Sequence, residues 1–155
     1  MAGKIDAKLV ELGIALPTPM PPIANYVPYV ITGDLVLVSG QVPAVDGKIA
    51  VTGKVTEGVT LEQGVAAARQ CFINVLVHLK AACGGDLDRV KQVVRLGGFV
   101  ASPAAFSQHA VVMNGASDLA VAVFGEAGRH ARTTIGVPSL PADAAVEVEG
   151  MFRIA

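Results

Sequence analysis

The sequence predicts an α+β domain in which two main helices cover one face of a mixed β-sheet. Apolar residues recur at helical spacing after Thr60, whereas the stretch from Val146 to Ile154 alternates strictly between two sets of residues. Strand-like and helix-like segments follow one another without an internal repeat, a low-complexity tract or a linker. We therefore expect a single domain over residues 1–155, in which residues 1–22 form a helix and a connector.

The amino-terminal segment predicts a short helix followed by an extended connector. Ile5, Leu9 and Leu12 recur at helical spacing, and Gly13 suits the end of that helix. Residues 16–22 (LPTPMPP) include four prolines and are therefore predicted to be extended. Because the amphipathic start lacks a continuous apolar core, we do not expect a secretory signal.

A β-hairpin is predicted next. Two apolar runs, over residues 26–31 and 35–40, flank Thr32-Gly33-Asp34, which is typical of a turn between paired strands. A second turn at Asp46-Gly47 precedes a weak strand over residues 48–52.

A long amphipathic helix is predicted to begin after Thr60. Thr60 and Gln63 have the spacing of a capping box, in which each side chain satisfies a free backbone N–H of the first turn. Gly84-Gly85 ends the helix. Its apolar stripe consists of Leu61, Val65, Ala68, Phe72, Val75, Leu76, Leu79 and Cys83.

The carboxy-terminal half predicts further strands around a second helix. Val90–Val100 has the composition of a strand, and Gly97-Gly98 within it indicates a bulge or a close backbone approach. We expect the second helix over roughly residues 117–124, closed by Gly125, and a short strand over residues 133–137.

Composition limits the possible functions. Hydrophobic residues make up 52% of the chain and charged residues 16%, and the net charge is -1. So little charge favours an oligomer, because it leaves little polar material to cover a monomer. The chain has no run of Lys and Arg, which argues against a nucleic-acid or membrane-surface binder. No apolar run approaches the roughly 20 residues that span a bilayer, so we expect a soluble, cytoplasmic protein.

Familiar metal, disulfide and phosphate motifs are not fulfilled. Cys71 and Cys83 lie about 120° apart around the predicted helix, so we expect free buried thiols in a reducing compartment. They do not converge with His78 on one helical face, so we expect no metal site. Gly47–Lys54 resembles a phosphate-binding loop but has one residue too many between its glycines, and Val55 follows where Ser or Thr is needed.

The densest group of chemically versatile residues lies near the carboxy terminus. His130, Arg132 and Thr134 would share one face of an extended segment, and Glu147 and Glu149 would share one face of the last strand. If the two strands lie near each other, Arg132 could grip a carboxylate ligand while a glutamate positions or activates water. An ordinary surface ion pair would explain the same residues equally well.

Ser39-Gly40-Gln41 stands at the end of a wholly apolar strand. A strand end frees a hydroxyl and a backbone N–H to hold a ligand, although the same residues could simply terminate the strand. Ser39, His130 and Asp118 could also be combined into a catalytic triad, but no GxSxG motif supports one.

Short motifs occur in a specific order from about Ile23 to the carboxy terminus. They are Asn25-Tyr26, Val38-Ser39-Gly40-Gln41-Val42-Pro43, the helix around Arg69-Gln70 and Asn74, His130-Ala131-Arg132, and Leu140-Pro141 with Val146-Glu147-Val148-Glu149. In this order and spacing they resemble the RidA/YjgF family of reactive-intermediate deaminases, often labelled endoribonuclease L-PSP. The block from Asn114 to Arg132 is similar to a longer branch of that family, which carries an added amino-terminal helix.

The resemblance implies a chorismate-mutase-like fold assembled as a homotrimer with three ligand clefts between subunits. It also implies hydrolysis of enamine and imine intermediates to 2-oxo acids and ammonia, without a metal or cofactor. By position, Arg132 would clamp the substrate carboxylate and Glu147 would position the attacking water. The pocket would be lined by Tyr26, Ser39, Gly40, Thr134 and Asn114.

Two departures from the family pattern keep alternatives open. Thr134 stands where many deaminase members carry a cysteine, and Gly128-Arg129-His130 lengthens the segment before Arg132. The leading hypothesis is an imine/enamine deaminase. The alternative is a binding module that senses a small carboxylate in the same cleft without turnover. A ribonuclease follows only from the family label, and the lack of basic patches argues against it.

Overall fold

The structure is a computed structural model that describes residues 3–22 and 24–155. Its helices are α1 (Lys4–Glu11), α2 (Leu61–Ala82) and α3 (His109–Phe124). Its strands are β1 (Tyr29–Thr32), β2 (Leu35–Gln41), β3 (Ala44–Val45), β4 (Lys48–Ile49), β5 (Lys54–Val55), β6 (Gly58–Val59), β7 (Val90–Ala101), β8 (Ala131–Val137) and β9 (Val146–Ile154). Short 3-10 turns cover Leu87–Arg89, Gly125–Gly128 and Pro141–Asp143.

The main sheet has five strands in the order β1-β2-β9-β7-β8. β7 and β8 run parallel, and every other neighbouring pair in this sheet is antiparallel. β3 with β4 and β5 with β6 form two small separate pairs. The predicted mixed sheet is therefore confirmed.

The two faces of the sheet differ, as predicted. One face, here called the helix-covered face, packs against α2 and α3, and the other is called the open face. Along β9, the side chains on the open face are half-buried or exposed, and those on the helix-covered face are buried, namely Val146, Val148, Phe152 and Ile154. Phe72 and Leu76 of α2 and Met113 of α3 complete this core without any exposed surface.

α2 forms with the predicted capping box. The N–H of Gln63 donates to Thr60 Oγ1 at 3.1 Å, and the N–H of Thr60 donates to Gln63 Oε1 at 2.8 Å. α1 forms as predicted as well, and the Asp88 carboxylate accepts the N–H of Lys4 at 2.8 Å and of Ile5 at 2.7 Å. The capping box specifies the start of α2 locally, whereas the start of α1 is capped by Asp88, which is 84 positions from Lys4.

α3 begins at His109, much earlier than the predicted start near residue 117. Its first turn carries no cap signal, because Gln108 makes no side-chain cap hydrogen bond. Asn114-Gly115 also resembles a turn in sequence. In the structure Gly115 lies inside the helix, where an added Cβ would collide with the carbonyl oxygen of Val65 on α2. The glycine is there because two helices approach closely.

The strand predictions need smaller corrections. The first hairpin strand begins at Tyr29, and the weak strand of residues 48–52 shortens to Lys48–Ile49. Gly97-Gly98 is not a bulge, since both residues pair in regular register with β8 and β9. Instead they permit close approach: a Cβ on Gly97 would lie 2.7 Å from Glu149 Oε1, and one on Gly98 would lie 2.5 Å from Met113 Sδ.

One helical stretch in the described part of the chain, His109–Gly128, is long and apolar enough by length and composition alone to cross a membrane. In the fold it contributes to the core, where Val112, Met113, Ala116 and Ala120 have no exposed surface. These side chains pack against α2 and the sheet, and 39% of the apolar stretch is buried.

Gly115→Ala is expected to destabilise the protein, although alanine is favoured over glycine inside most helices by about 1 kcal/mol. The new methyl group would meet backbone atoms of α2, and overpacking of this kind typically costs about 1–3 kcal/mol. Urea denaturation measures the change. Gly64→Ala is the matched control, because the atom nearest its added Cβ is a side-chain carbon of Val55 at 3.1 Å. A Gly115→Ala variant as stable as wild type would show that the helices can separate freely.

Candidate active site

Arg132 lies on β8 and faces the helix-covered side, because its partner in register on β7 is the buried Leu96. Its guanidinium bonds to α3. Nη1 donates to Asn114 Oδ1 at 2.8 Å and to Ser117 Oγ at 3.1 Å, and Nη2 donates to the carbonyl oxygen of Ala110 at 3.4 Å. The structure thus brings two of the predicted site residues, Arg132 and Asn114, into direct contact.

The partners of Arg132 in the described part of the chain are all neutral. The ion pairs there join Lys8 with Glu11, Lys80 with Asp6, Arg95 with Glu149 and Arg129 with Glu126. Arg132 is in none of them, so the surface ion pair considered for it does not form. A full positive charge therefore stands without a compensating carboxylate, which is the state expected of an anion site.

His130 and Ser117 extend this cluster. His130 Nε2 lies 2.8 Å from Ser117 Oγ, and His130 Nδ1 lies 2.6 Å from the carbonyl oxygen of Gly128. A carbonyl can only accept, so in the neutral ring Nδ1 carries the proton and Nε2 accepts from the Ser117 hydroxyl. Sequence reasoning missed Ser117; its position three residues after Asn114 on a helix was the available signal.

Thr134 lies two positions beyond Arg132 on the same face of β8, in register with Gly98. Its hydroxyl oxygen is buried and has no hydrogen-bond partner in the described part of the chain. A buried hydroxyl without a partner is unusual in folded proteins. Thr134 therefore adds an unsatisfied polar atom beside the Arg132 cluster.

Glu147 lies on the open face, opposite Phe99 of β7. Gly40, at the irregularity where β2 shifts register against β9, lies directly against it, and a Cβ on Gly40 would collide with Glu147 Oε1. Burial raises the pKa of Glu147, and the negative charge of Glu149 raises it further. A carboxylate with a raised pKa is a stronger base than an ordinary glutamate, which suits proton abstraction from water.

Ser39 is engaged in the fold. Its hydroxyl donates to the carbonyl oxygen of Val27 at 2.7 Å, and its N–H donates to that of Pro28 at 2.9 Å. These bonds tie the loop before β1 to β2. Of the two interpretations left open for Ser39-Gly40-Gln41, the structural one accounts for Ser39, whereas Gly40 lies against a candidate catalytic group.

Tyr26 and Gly40 line a cavity of about 670 Å³. Residues 16–22 of the connector form one wall, and Asn74, Val77 and His78 of α2 form part of another. Asn74 Nδ2 bridges the carbonyl oxygens of Val42 and Ala44 at 2.9 and 3.1 Å. The lining of this cavity includes only two of the predicted pocket residues, Tyr26 and Gly40. The other predicted residues Arg132, Glu147, Asn114 and Thr134 are not part of it.

The remaining histidines and cysteines have structural environments. His78 is buried, and burial lowers its pKa. His109 begins α3 and packs edge-on against Phe106, with ring centroids 4.9 Å apart. Cys71 and Cys83 are free and buried as predicted, and burial raises the pKa of both thiols, which is typical of unreactive cysteines. Among the described residues, no group of three His, Cys, Asp or Glu side chains is placed to hold a metal ion.

The predicted site residues therefore fall into two groups on opposite sides of the sheet. Arg132, Asn114 and Thr134 lie between β8 and α3, whereas Glu147 and Gly40 lie on the open face toward β2. Arg132 and Glu147 are separated by two strand spacings, roughly 10 Å, and by three positions along the strands. A single chain does not bring Arg132 and Glu147 into one pocket.

Comparison with known proteins identifies a family model and a relative that match this chain over nearly its whole length. A sequence model of the family described as "YjgF/chorismate mutase-like, putative endoribonuclease" matches residues 6–152. Protein TCP17 of Trypanosoma cruzi is 47% identical over 154 residues, which cover 99% of this chain and 96% of that protein.

Solved structures agree in fold. The protein Atu1372 of Agrobacterium tumefaciens, described as of unknown function, has a TM-score of 0.92 and 46% identity, with 97% of this chain and 92% of that chain covered. A protein of Shewanella oneidensis described as "a putative endoribonuclease" has a TM-score of 0.93 and 35% identity, with 97% and 99% covered. The predicted family is confirmed. By sequence over nearly its whole length and by fold, this chain belongs to the YjgF/chorismate mutase-like family.

Proposed function

We propose that the protein is a cofactor-free hydrolytic deaminase, which converts enamine and imine derivatives of small amino acids to 2-oxo acids and ammonia. The observation that carries this proposal is Arg132. Its guanidinium is held by three neutral partners and keeps two of its five N–H donors free of any partner in the described part of the chain. The carboxylate of an amino-acid-derived substrate fits such a fork.

The proposed site lies between copies of the chain in a homotrimer. Each chain carries two incomplete halves on different sides of its sheet, so the Arg132 half of one copy would face the Glu147 half of another. The open face supports an assembly. Val30, Leu37 and Ile135 lie on it and are 51%, 38% and 47% exposed, an apolar surface that a second copy would cover.

In the proposed reaction Arg132 binds the substrate carboxylate and Glu147 accepts a proton from water. The water oxygen attacks the imine carbon, and the imine nitrogen takes up a proton. The resulting carbinolamine then collapses: its amine takes up a second proton while its hydroxyl loses one, the carbon–nitrogen bond breaks, and ammonia leaves. An enamine substrate first tautomerises to the imine and then follows the same steps. Water is consumed and one ammonia is released, so the reaction needs no oxidant or reductant.

A second candidate is binding of a small carboxylate without turnover. Thr134 favours it, because a threonine hydroxyl replaces the cysteine carried by many deaminase members. For either function we propose a cytoplasmic protein with a small-molecule ligand and with neither nucleic acid nor membrane as partner. The net charge of -1 argues against ribonuclease activity, since binding to a phosphate backbone depends on clustered cations.

The direct test is release of ammonia and 2-oxo acid from 2-aminoacrylate-type imines generated in situ. Wild type should accelerate the release, and Arg132→Ala should abolish the acceleration. Arg129→Ala is the matched control, because Arg129 is nearby but exposed and pairs with Glu126 at 3.1 Å. Equal rates with and without wild-type protein would reject the deaminase and favour the binding function.

Mixing two inactive variants is expected to restore activity if the halves come from different chains. Arg132→Ala keeps the Glu147 half, and Glu147→Gln keeps the Arg132 half. After the two are unfolded and refolded together, up to about a quarter of the sites in random trimers would combine both intact halves. Imine hydrolysis by the co-refolded mixture measures this. If the mixture is no more active than its components, either Arg132 and Glu147 act within the same chain or one of them is not part of the site.

Activity is expected to fall as the pH is lowered, with a midpoint above 4.5, the ordinary pKa of glutamate. Glu147 must be ionised to accept a proton. Because burial and Glu149 raise its pKa, activity is present above that raised pKa and is lost as the pH falls through it. The pH profile of kcat/KM locates this limb. Glu149→Gln removes one cause of the shift and should move the limb to lower pH; an unmoved limb would assign it to another group.

A further inference from the structure

We infer that Ser117 and His130 are positioning residues that hold the guanidinium of Arg132 in the orientation that receives the substrate carboxylate. The inference rests on the proposed role of Arg132 as the ligand-binding cation. It concerns two residues that the proposed reaction does not use.

The hydrogen bonds of Arg132 determine which edge of the guanidinium is available. Both N–H groups of Nη1 are used, by Asn114 and Ser117, and Nη2 uses one of its two on Ala110. The unused donors are the Nε–H and the second N–H of Nη2. Nε and Nη2 form the side edge of the guanidinium, and two donors in its plane match the two oxygens of one carboxylate.

Ser117 alone would hold this arrangement weakly. A serine within a helix can turn its hydroxyl to the carbonyl four residues earlier, which changes where its lone pairs point. His130 prevents that turn, because its Nε2 takes the Ser117 hydroxyl hydrogen at 2.8 Å and so leaves an oxygen lone pair for Arg132 at 3.1 Å.

His130 is itself fixed. Its Nδ1–H donates to the carbonyl oxygen of Gly128 at 2.6 Å, which sets both the ring orientation and the tautomer. The chain from Arg132 through Ser117 and His130 to Gly128 therefore has all its donors pointing in one direction. Hydrogen bonds aligned in this way polarise and strengthen one another.

Holding the guanidinium against α3 favours ligand binding, because the arginine side chain does not have to be ordered when the ligand arrives. Two parallel N–H···O bonds to a carboxylate form only when the planar fork is correctly oriented. In the described part of the chain, no lysine or second arginine hydrogen-bonds to this cluster. Binding of a ligand carboxylate here therefore depends on Arg132, whose orientation rests on Ser117 and His130.

The test measures 2-oxobutanoate binding by calorimetry on the intact assembled protein. Ser117→Ala and His130→Ala should each weaken this binding by roughly three- to tenfold with little change in Tm. His130→Gln should restore most of the affinity, because its side-chain oxygen can accept the Ser117 hydroxyl hydrogen. His109→Gln is the control, since His109 lies on the same helix but packs against Phe106.

Arg132→Lys separates the possible failures. If 2-oxobutanoate binding survives Arg132→Lys unchanged, the proposed function fails and this inference falls with it. If Arg132→Lys weakens binding while Ser117→Ala and His130→Ala keep the wild-type affinity, the inference alone is overturned. A loss of affinity that His130→Gln does not restore, together with a lower Tm, would assign these residues a structural role and would also overturn it.

Discussion

Phe72→Ala is expected to lower the free energy of unfolding by about 3–5 kcal/mol. Phe72 lies on α2, has no exposed surface and is among the largest fully buried side chains. Removing its ring takes away apolar burial and leaves a cavity that the surrounding side chains fill only in part. Because the proposed assembly makes stability depend on concentration, urea denaturation must compare variants at one protein concentration.

Val10→Ala is the control for this substitution. Val10 also lies on a helix but is 78% exposed, so its loss should change stability by no more than about 0.5 kcal/mol. A loss below about 1 kcal/mol for Phe72→Ala would mean that α2 does not anchor the core. Such a result would contradict both the predicted stripe and the packing of α2 on the sheet.

The sequence could predict α2 in detail because everything that defines it is local. The cap joins Thr60 to Gln63, and the apolar stripe repeats within one helix. The start of α3 could not be predicted in the same way. Gly115 is required by Val65, which is fifty positions away in the chain, and a contact of that kind leaves no local pattern.

The candidate site could likewise be predicted only in part from the sequence. Family resemblance identified Arg132 and Asn114, and the structure places them 2.8 Å apart. The strand periods were correct as well, since Glu147 and Glu149 face away from the core. The relation between Arg132 and Glu147 depends instead on sheet order, because β8 pairs with β7 and not with β9. Strand order is a property of the whole chain, which periodicity within one segment does not record.

The hydrogen bonds that link Arg132, Ser117, His130 and Gly128 could not be predicted from a sequence pattern either. Apart from Arg132, these residues come from α3, from the turn after α3 and from the residue before β8, and they meet only when β8 docks beside β7. A histidine next to a predicted strand can serve many roles. Its distance to Ser117 and Gly128 selects one of them, which is to fix an arginine.

The largest functional effect is expected from Glu147→Gln, which should lower turnover by about 10²- to 10⁴-fold. Glutamine has nearly the shape of glutamate, but its amide cannot accept a proton from water, so carboxylate binding should survive. Arg132→Lys should act in the opposite way. Lysine keeps the charge and loses the planar fork, and loss of charge-assisted bonds worth about 1.5–3 kcal/mol weakens binding roughly ten- to a hundredfold.

The deaminase hypothesis therefore predicts that Arg132→Lys mainly weakens binding and that Glu147→Gln mainly lowers turnover. Calorimetry with 2-oxobutanoate should show weak binding for Arg132→Lys and nearly normal binding for Glu147→Gln. Imine-hydrolysis kinetics should show the loss of kcat mainly in Glu147→Gln. Glu149→Gln is the matched control, since Glu149 lies on the same face of β9 but pairs with Arg95 at 3.3 Å. If turnover is unchanged in Glu147→Gln while Arg132→Lys loses binding, Glu147 does not activate water, and the proposed catalytic role of this carboxylate is wrong.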